Sequence, residues 1–313
     1  MTDRILVVGE ALVDIVHRTD GTVDEHPGGS PLNVAIGLAR LGHGVDFASR
    51  FGDDVHGHAI LAHLESEPAI TLTRGTASAP STSTATATLD DTGAATYDFD
   101  LTWDVAGALD DDPVAHLHTG SIAATLAPGA DDVLAAARRA AQHGTVSYDP
   151  NARPSLMGDP AEARAIVENV IATSDVVKAS DEDIEWFYDV AAHDHHVLDD
   201  VMRRWASLGA GLVVVTRGGD GCRAYVPAGD EWVDVPPASD VVVIDTVGAG
   251  DSFMSGLISG LLDAGLLGGI DARQALRLAD LAAVRPALDR AIACSAITVS
   301  RAGANPPTRS ELP

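Results

Sequence analysis

The chain has 313 residues, 46% of them hydrophobic, and carries a formal net charge of −26. That length and apolar content suffice for one large α/β core, alone or with a small attachment, while the acidic balance argues against nucleic acid or an anionic membrane as a partner. Cys222 and Cys294 are too few for a disulfide framework, and Lys178 is the single lysine among 20 basic residues.

After Met1-Thr2-Asp3-Arg4, the run Ile5–Val8 reads as a buried strand. Four apolar residues before Gly9 and Glu10 make neither a signal peptide nor a membrane span, so a cytoplasmic protein is expected. Gly28-Gly29-Ser30-Pro31-Leu32-Asn33 then opens a helix, with Ser30 as the expected N-cap, Pro31 at the first helical position and Gly42 as the stop. Asn33 falls in the first turn, where its amide either bridges hydroxyls or is simply solvated. Val45–Ala48 is the next strand. Thr82, Thr84, Thr86 and Thr88 recur at period two, Asp90-Asp91-Thr92-Gly93 signals a turn, and residues 95–99 resume an extended pattern, which predicts a β-hairpin outside the main sheet.

Further β-branched runs at 145–148, 175–177, Leu212–Thr216, 241–244 and 296–299 alternate with Ala/Leu-rich helical stretches. Continuous apolar strands of this kind predict an α/β fold, a mainly parallel sheet with helices on both faces and ligands at the carboxyl ends of its strands. His193-Asp194-His195-His196 has no partner at metal-ligand spacing and reads as solvated surface.

The stretch Asp245-Thr246-Val247-Gly248-Ala249-Gly250-Asp251-Ser252-Phe253 reads as a small-residue turn with a carboxylate at the start of a helix. Without bulky side chains, Gly248, Ala249 and Gly250 let the backbone approach a phosphate, and the first-turn N–H groups are free to face its oxygens. Asp251 is then placed to take a proton from an attacking hydroxyl. The alternative is a tight turn with an N-capping Asp. Phe253, Leu257 and Leu261, beside the small face of Ser252, Gly256 and Gly260, predict a helix packed closely on its sheet. A P-loop is excluded because Ala179 follows the sole lysine, and a dinucleotide turn is disfavoured because Phe253 stands where a third glycine belongs.

The Gly28 to Asn33 and Asp245 to Asp251 segments together resemble the two signature regions of the ribokinase-like (PfkB) carbohydrate kinases. The resemblance runs on through Gly9-Glu10-Ala11-Leu12-Val13-Asp14, Gly52-Asp53-Asp54 with Gly57, Asp149-Pro150-Asn151-Ala152-Arg153, Lys178-Ala179-Ser180-Asp181-Glu182-Asp183 and Thr216-Arg217-Gly218-Gly219-Asp220-Gly221, essentially the whole chain. It implies one ribokinase-like domain over residues 1–313, with segments at about 10–27 and 81–104 forming a small β lid over the sugar and a homodimer contact. Tyr97 and Phe99 in the hairpin either pack or offer apolar surface to the sugar.

The resemblance further implies that Asp14, Gly28, Gly29 and Asn33 hold sugar hydroxyls, that Asp251 is the catalytic base, and that Gly248, Ala249 and Gly250 form the oxyanion hole. Thr216, Gly218 and Gly221 would run along ATP. Ser180 and Asp183 replace the Asn and Glu of the family's N-x-x-E motif, leaving the shorter Asp183 carboxylate to reach Mg2+ through water. Asp245, with backbone near Ala302 and Gly303, resembles the family's monovalent-cation loop, a site for K+. The form Asp-Pro-Asn-x-Arg resembles the fructokinase and 2-keto-3-deoxygluconate kinase branches, and the Arg153 guanidinium suits a carboxylate, a phosphate or sugar hydroxyls. The expected function is therefore an ATP- and magnesium-dependent kinase acting on a primary hydroxyl of fructose or a related ketose. The alternatives are 2-keto-3-deoxygluconate kinase and a non-catalytic sugar-binding regulator on the same fold.

Overall fold

The computed structural model describes residues 4–89 and 95–313. In chain order its first half holds β1 (Ile5–Val8), β2 (Leu12–His17), β3 (Val23–Gly28), α1 (Ser30–Arg40), β4 (Val45–Ala48), α2 (Val55–Glu65), β5 (Ile70–Leu72), β6 (Thr84–Leu89), β7 (Ala95–Asp100), β8 (His116–Gly120), α3 (Gly129–Ala140) and β9 (Thr145–Asp149). The second half holds α4 (Pro154–Met157), α5 (Pro160–Ile171), β10 (Val176–Ser180), α6 (Asp181–Tyr188), α7 (His195–Leu208), β11 (Leu212–Thr216), β12 (Cys222–Val226), β13 (Glu231–Val235), α8 (Ala249–Asp263), α9 (Ile270–Leu278) and α10 (Leu281–Val299).

Among the described residues the main sheet has the order β13-β12-β11-β10-β9-β8-β1-β4-β5, parallel from β11 to β5 and antiparallel only at β12 and β13. Helices cover both faces, and the strand residues record it. Ile5 and Val7 join one core cluster with α1 and α8, while Leu6 and Val8 join another with α3; Val214 and its neighbours Val213 and Val215 divide in the same way. Burial on alternate sides removes the polar alternation of a half-exposed strand, which is why these segments read as continuous apolar runs.

A second sheet, ordered β3-β2-β6-β7, stands apart from the first. Its β6 and β7 pair antiparallel with Thr84 opposite Asp100, the hairpin that the threonine period predicts. The Asp90-Asp91-Thr92-Gly93 turn and the Tyr97 side chain lie outside what is described.

Two expected strands are not strands. Residues 241–244 run over the surface after Pro236 and Pro237, with Val242, Val243 and Ile244 61–74% exposed, and Ile244 N–H donates to the Val299 carbonyl at the end of α10. The run leaves β13 through Pro236 and Pro237, which lack the N–H that a strand ladder needs, and it is tied to the end of α10 rather than to a strand. Residues 296–299 instead finish α10, where Val284, Ala287, Leu288, Ala291, Cys294 and Thr298 make one buried face at helical spacing. The Thr298 hydroxyl bonds the Cys294 carbonyl one turn back, which reconciles a β-branched residue with the helix. The small face of α8 also differs from expectation, since it meets α10 rather than the sheet. A Cβ on Gly256 would lie 2.9 Å from Ala291 Cα, and one on Gly260 2.6 Å from Ala287 Cα.

Ser30 is not the cap of α1. Gly29 takes that position at φ 120, leaving the Ser30 hydroxyl for another partner.

Candidate active site

The parallel strands end on one side of the sheet, and the topology reverses there. From β1 the chain builds β4 and β5 to one side, and from β8 onward it builds the other. The crevice at such a reversal is where open α/β sheets bind ligands. Glu10 follows β1, Ser121 follows β8, and both line a cavity of about 440 Å3. Of the residues singled out in the sequence, Asp14, Gly29, Asn33, Arg153, Gly248 and Asp251 line it as well. Ala85, Phe99 and Leu101, from the second sheet and the residue after it, give the cavity an apolar side. Gly28 lies behind Asp14, where a Cβ would occupy the carboxylate's space.

Asp251 sits in the first turn of α8 and is 7% exposed. The Ser30 hydroxyl donates to its Oδ1 at 2.7 Å, and the Asn33 amide donates to its Oδ2 at 2.8 Å. The two segments singled out in the sequence therefore meet at one carboxylate. Each oxygen keeps a lone pair for a further donor. Gly248 caps α8 in the left-handed region at φ 73, packed so closely that a Cβ would lie 2.6 Å from Ala304 Cβ. Ala249 N–H closes the turn to the Thr246 carbonyl at 3.2 Å, and the Gly250 and Asp251 N–H groups head the helix with no intrahelical carbonyl to bond.

Lys178 brings a charge to this point from β10. Its Nζ donates to Asp149 Oδ2 at 2.8 Å, with 4% and 1% of the two side chains exposed, and a Cβ on Gly250 would lie 3.0 Å from the same Nζ. Burial opposes the ammonium, but the charge and hydrogen bond of Asp149, with Asp183 and Asp251 beyond it, raise the lysine's pKa. Burial pushes Asp149 up to about 6 against the pull of Lys178, and among the described residues its Oδ1 has no hydrogen-bond partner. Burial also pushes Glu10 up to about 7, opposed in part by a hydrogen bond from Ser121 and the charge of Arg153; among the described residues its Oε2 has no partner.

Ser180, Asp183, Thr216, Gly218 and Gly221 lie at or just beyond the ends of β10 and β11, and Asp245 lies before α8, all outside the cavity lining. Ser180 caps α6, accepting from Asp183 N–H at 3.0 Å. Asp183 accepts from Ser180 N–H at 2.8 Å and from Ala152 N–H at 2.7 Å, so each carboxylate oxygen already holds a backbone donor. Thr216 ends β11, and Gly218 and Gly221 both have positive φ; a Cβ on Gly221 would strike the Val235 carbonyl. Asp245 accepts from Val247 N–H at 3.0 Å and Gly303 N–H at 2.8 Å, two bonds that hold its carboxyl below the usual range and tie the turn before α8 to the turn after α10. Among the described residues no group of three or more His, Cys, Asp or Glu side chains can hold a metal ion, and no helix is long and apolar enough to cross a membrane.

Sequence reasoning passed over Glu10, Ser121 and the Lys178–Asp149 pair as site groups. Lys178 had a signal, because a charge inside a run as apolar as Val176 to Ala179 needs a buried partner. Ser121, held at φ 54, had none.

The family described as pfkB family carbohydrate kinase matches residues 2–311. The chain belongs to this family. The fructokinase of Klebsiella pneumoniae is 32% identical over 311 residues, covering 97% of this chain and 95% of the relative. The fructokinase of Rhizobium leguminosarum bv. trifolii is 35% identical over 273 residues, 82% of this chain and 79% of the relative. In structure, the pfkB chain is similar to the Xylella fastidiosa fructokinase with bound ATP (TM-score 0.80, 26% identity, 100% of this chain and 96% of that one). It is also similar to the Vibrio cholerae O395 fructokinase in its fructose, ADP and calcium ion bound form (TM-score 0.77, 27% identity, 96% and 94%). The sheet order and flanking helices are thus those of a ribokinase-like α/β fold.

Proposed function

We propose that the protein is an ATP-dependent carbohydrate kinase that phosphorylates a primary hydroxyl of fructose or a closely related ketose. The observation that carries this reading is Asp251, held by Ser30 and Asn33 at the wall of a cavity and set in the first turn of α8. A sugar hydroxyl in the cavity donates to a remaining lone pair of Asp251, which accepts its proton as the oxygen attacks the terminal phosphorus of ATP. Asp14, Asn33 and Arg153 orient the other hydroxyls, with Gly29 keeping backbone close to the sugar and Gly28 leaving room for the Asp14 carboxylate. Gly248, Ala249 and Gly250 leave room for the phosphoryl oxygens beside the helix N-terminus, and the Lys178 ammonium adds positive charge behind Gly250.

ATP lies along the loops at Thr216, Gly218 and Gly221. Magnesium, where bound, would supply charge neutralisation at the phosphates, and Asp183, which lies outside the cavity lining with one backbone donor on each oxygen, would reach it only through water. Asp245 orders the loop at which K+ would bind through backbone carbonyls. The second sheet acts as a lid and offers the face for a homodimer.

The charges of the cavity favour a neutral sugar over 2-keto-3-deoxygluconate. Glu10, Asp14 and Asp251 set three carboxyl groups against one guanidinium, and Arg153 Nη1 already donates to the Asn151 carbonyl at 3.0 Å and its side-chain oxygen at 2.7 Å. A coupled ADP-release assay across fructose, ribose, tagatose, 2-keto-3-deoxygluconate and adenosine tests the reading. Fructose is expected to be the best substrate, and turnover of no sugar would leave the regulator in its place. Asp251→Ala is expected to lower kcat at least about a hundredfold with the fold intact.

A further inference from the structure

Asp183 stands where the family's glutamate helps position magnesium, yet both of its oxygens point at backbone. Its Oδ2 closes the cap of α6 on Ser180 N–H, and its Oδ1 crosses to Ala152 N–H in the turn after β9. The residue is 7% exposed. The turn it grips is strained, since Asn151 has φ 40, a left-handed conformation that persists only where the surroundings hold it. Ala152 is the next residue, and Arg153 after it lines the sugar cavity while its own Nη1 bonds the Asn151 and Ala152 carbonyls at 3.0 Å. The guanidinium's place in the cavity thus depends on the shape of a turn that Asp183 pins from a neighbouring strand end.

We propose that Asp183 is a positioning residue for the sugar, holding the 151–153 turn that presents Arg153 to the cavity, a role independent of any part it takes in magnesium binding. This rests on the reading of Arg153 as a sugar-binding group. The aspartate's length matters, because one carboxylate at the third position of α6 spans Ser180 N–H and Ala152 N–H together.

The two roles separate when no nucleotide or metal is present. Fructose binding is measured by titration calorimetry in EDTA for the native protein, Asp183→Ala, Asp183→Asn, Arg153→Ala and the Asp183→Ala/Arg153→Ala pair. Asp183→Ala is expected to weaken fructose about tenfold, the order of one hydrogen bond to a charged group, and Asp183→Asn, which keeps one acceptor, by less. The double variant is expected to bind no more weakly than Arg153→Ala alone. In turnover, the loss should appear in KM for fructose while KM for ATP stays within about twofold of the native value.

Unchanged metal-free affinity in the Asp183 variants, or losses that add in the double variant, would overturn the proposal. If Asp183→Ala fails to fold, the Asp183→Asn titration decides alone. A native protein that binds no fructose and turns over no sugar sinks the kinase reading and this proposal with it, whereas native binding with insensitive Asp183 variants sinks this proposal only.

Discussion

Replacing Lys178 with methionine keeps most of the side chain's volume and removes one charge from a buried pair. Nζ and Asp149 Oδ2 are 2.8 Å apart with almost no solvent on either, and Asp149 Oδ1 has no other partner. Deleting one member of such a pair leaves the other charge uncompensated, at about 3–5 kcal/mol. For 313 residues the entropy of unfolding is about 0.66 kcal/mol/K, so each kcal/mol moves Tm by about 1.5 °C and the expected fall is about 5–8 °C. The fall should depend on pH. Asp149 is already pushed up to about 6 with the lysine beside it and rises further without it, so near pH 5.5 the carboxyl is neutral and the loss is small, while at pH 8 it is fully felt. Differential scanning calorimetry at the two pH values measures both. Adding Asp149→Asn should restore more than half of the loss at pH 8, since the stranded charge is gone. A fall equal at pH 5.5 and 8, or no recovery in the double variant, would refute the argument that Lys178 compensates the buried Asp149 charge.

Two glycines give sharper kinetic tests. In Gly250→Ala the new methyl lies 3.0 Å from the Lys178 ammonium, which must shift by a few tenths of an ångström. We expect kcat to fall about tenfold with KM for the sugar within about twofold, as for a group acting on the transition state alone; an unchanged kcat contradicts the placement of the charge. In Gly28→Ala the methyl displaces the Asp14 carboxylate, so KM for the sugar should rise at least about tenfold while kcat holds, and an unchanged KM removes Asp14 from the sugar's contacts.

The parts of the site that were legible in the sequence are those made by local chemistry. The Pro31 helix start, the small-residue turn at Gly248 and the carboxylate three residues later follow from φ requirements and helix-end rules acting over a few residues. What brings them together is not local, because Ser30 meets Asp251 across 221 residues and Asn33 meets it across 218. The Ser30 hydroxyl therefore bonds the distant Asp251 carboxylate rather than capping its own helix, as its neighbourhood suggests. A similar cause hid β8. His116 and His118 look unlike core residues, yet Thr145 and Ser147 of the adjacent β9 bond their rings at 2.9–3.0 Å, and burial pushes both imidazoles down to about 3 so that they stay neutral. Residues 241–244 fail in the opposite direction, because an apolar run specifies a strand only where a ladder receives it, and this one is tied through Ile244 N–H to the end of α10.

Glu10 makes the cavity a source of pH-dependent instability. Its carboxyl is buried between the Ser121 hydroxyl, Arg153 and Asp251, and burial pushes it from 4.5 to about 7. Below pH 4.5 the group is protonated in both folded and unfolded chains. Between 4.5 and about 7 the folded chain keeps a proton that the unfolded chain has released, so stability falls as pH rises, and above 7 the loss is complete at about 3 kcal/mol, or about 5 °C in Tm. A glutamine cannot ionise and escapes that loss. Melting curves of native protein and Glu10→Gln should therefore diverge with pH, the variant gaining about 5 °C relative to native between pH 4.5 and 8. The comparison cancels the surface carboxylates, whose titration is common to both proteins. A Tm difference that does not change with pH would mean that Glu10 titrates alike in the folded and unfolded chains, its Oε2 solvated through the open cavity. The same measurement with fructose present separates the two states, because a sugar hydroxyl donating to Glu10 favours the carboxylate and narrows the divergence.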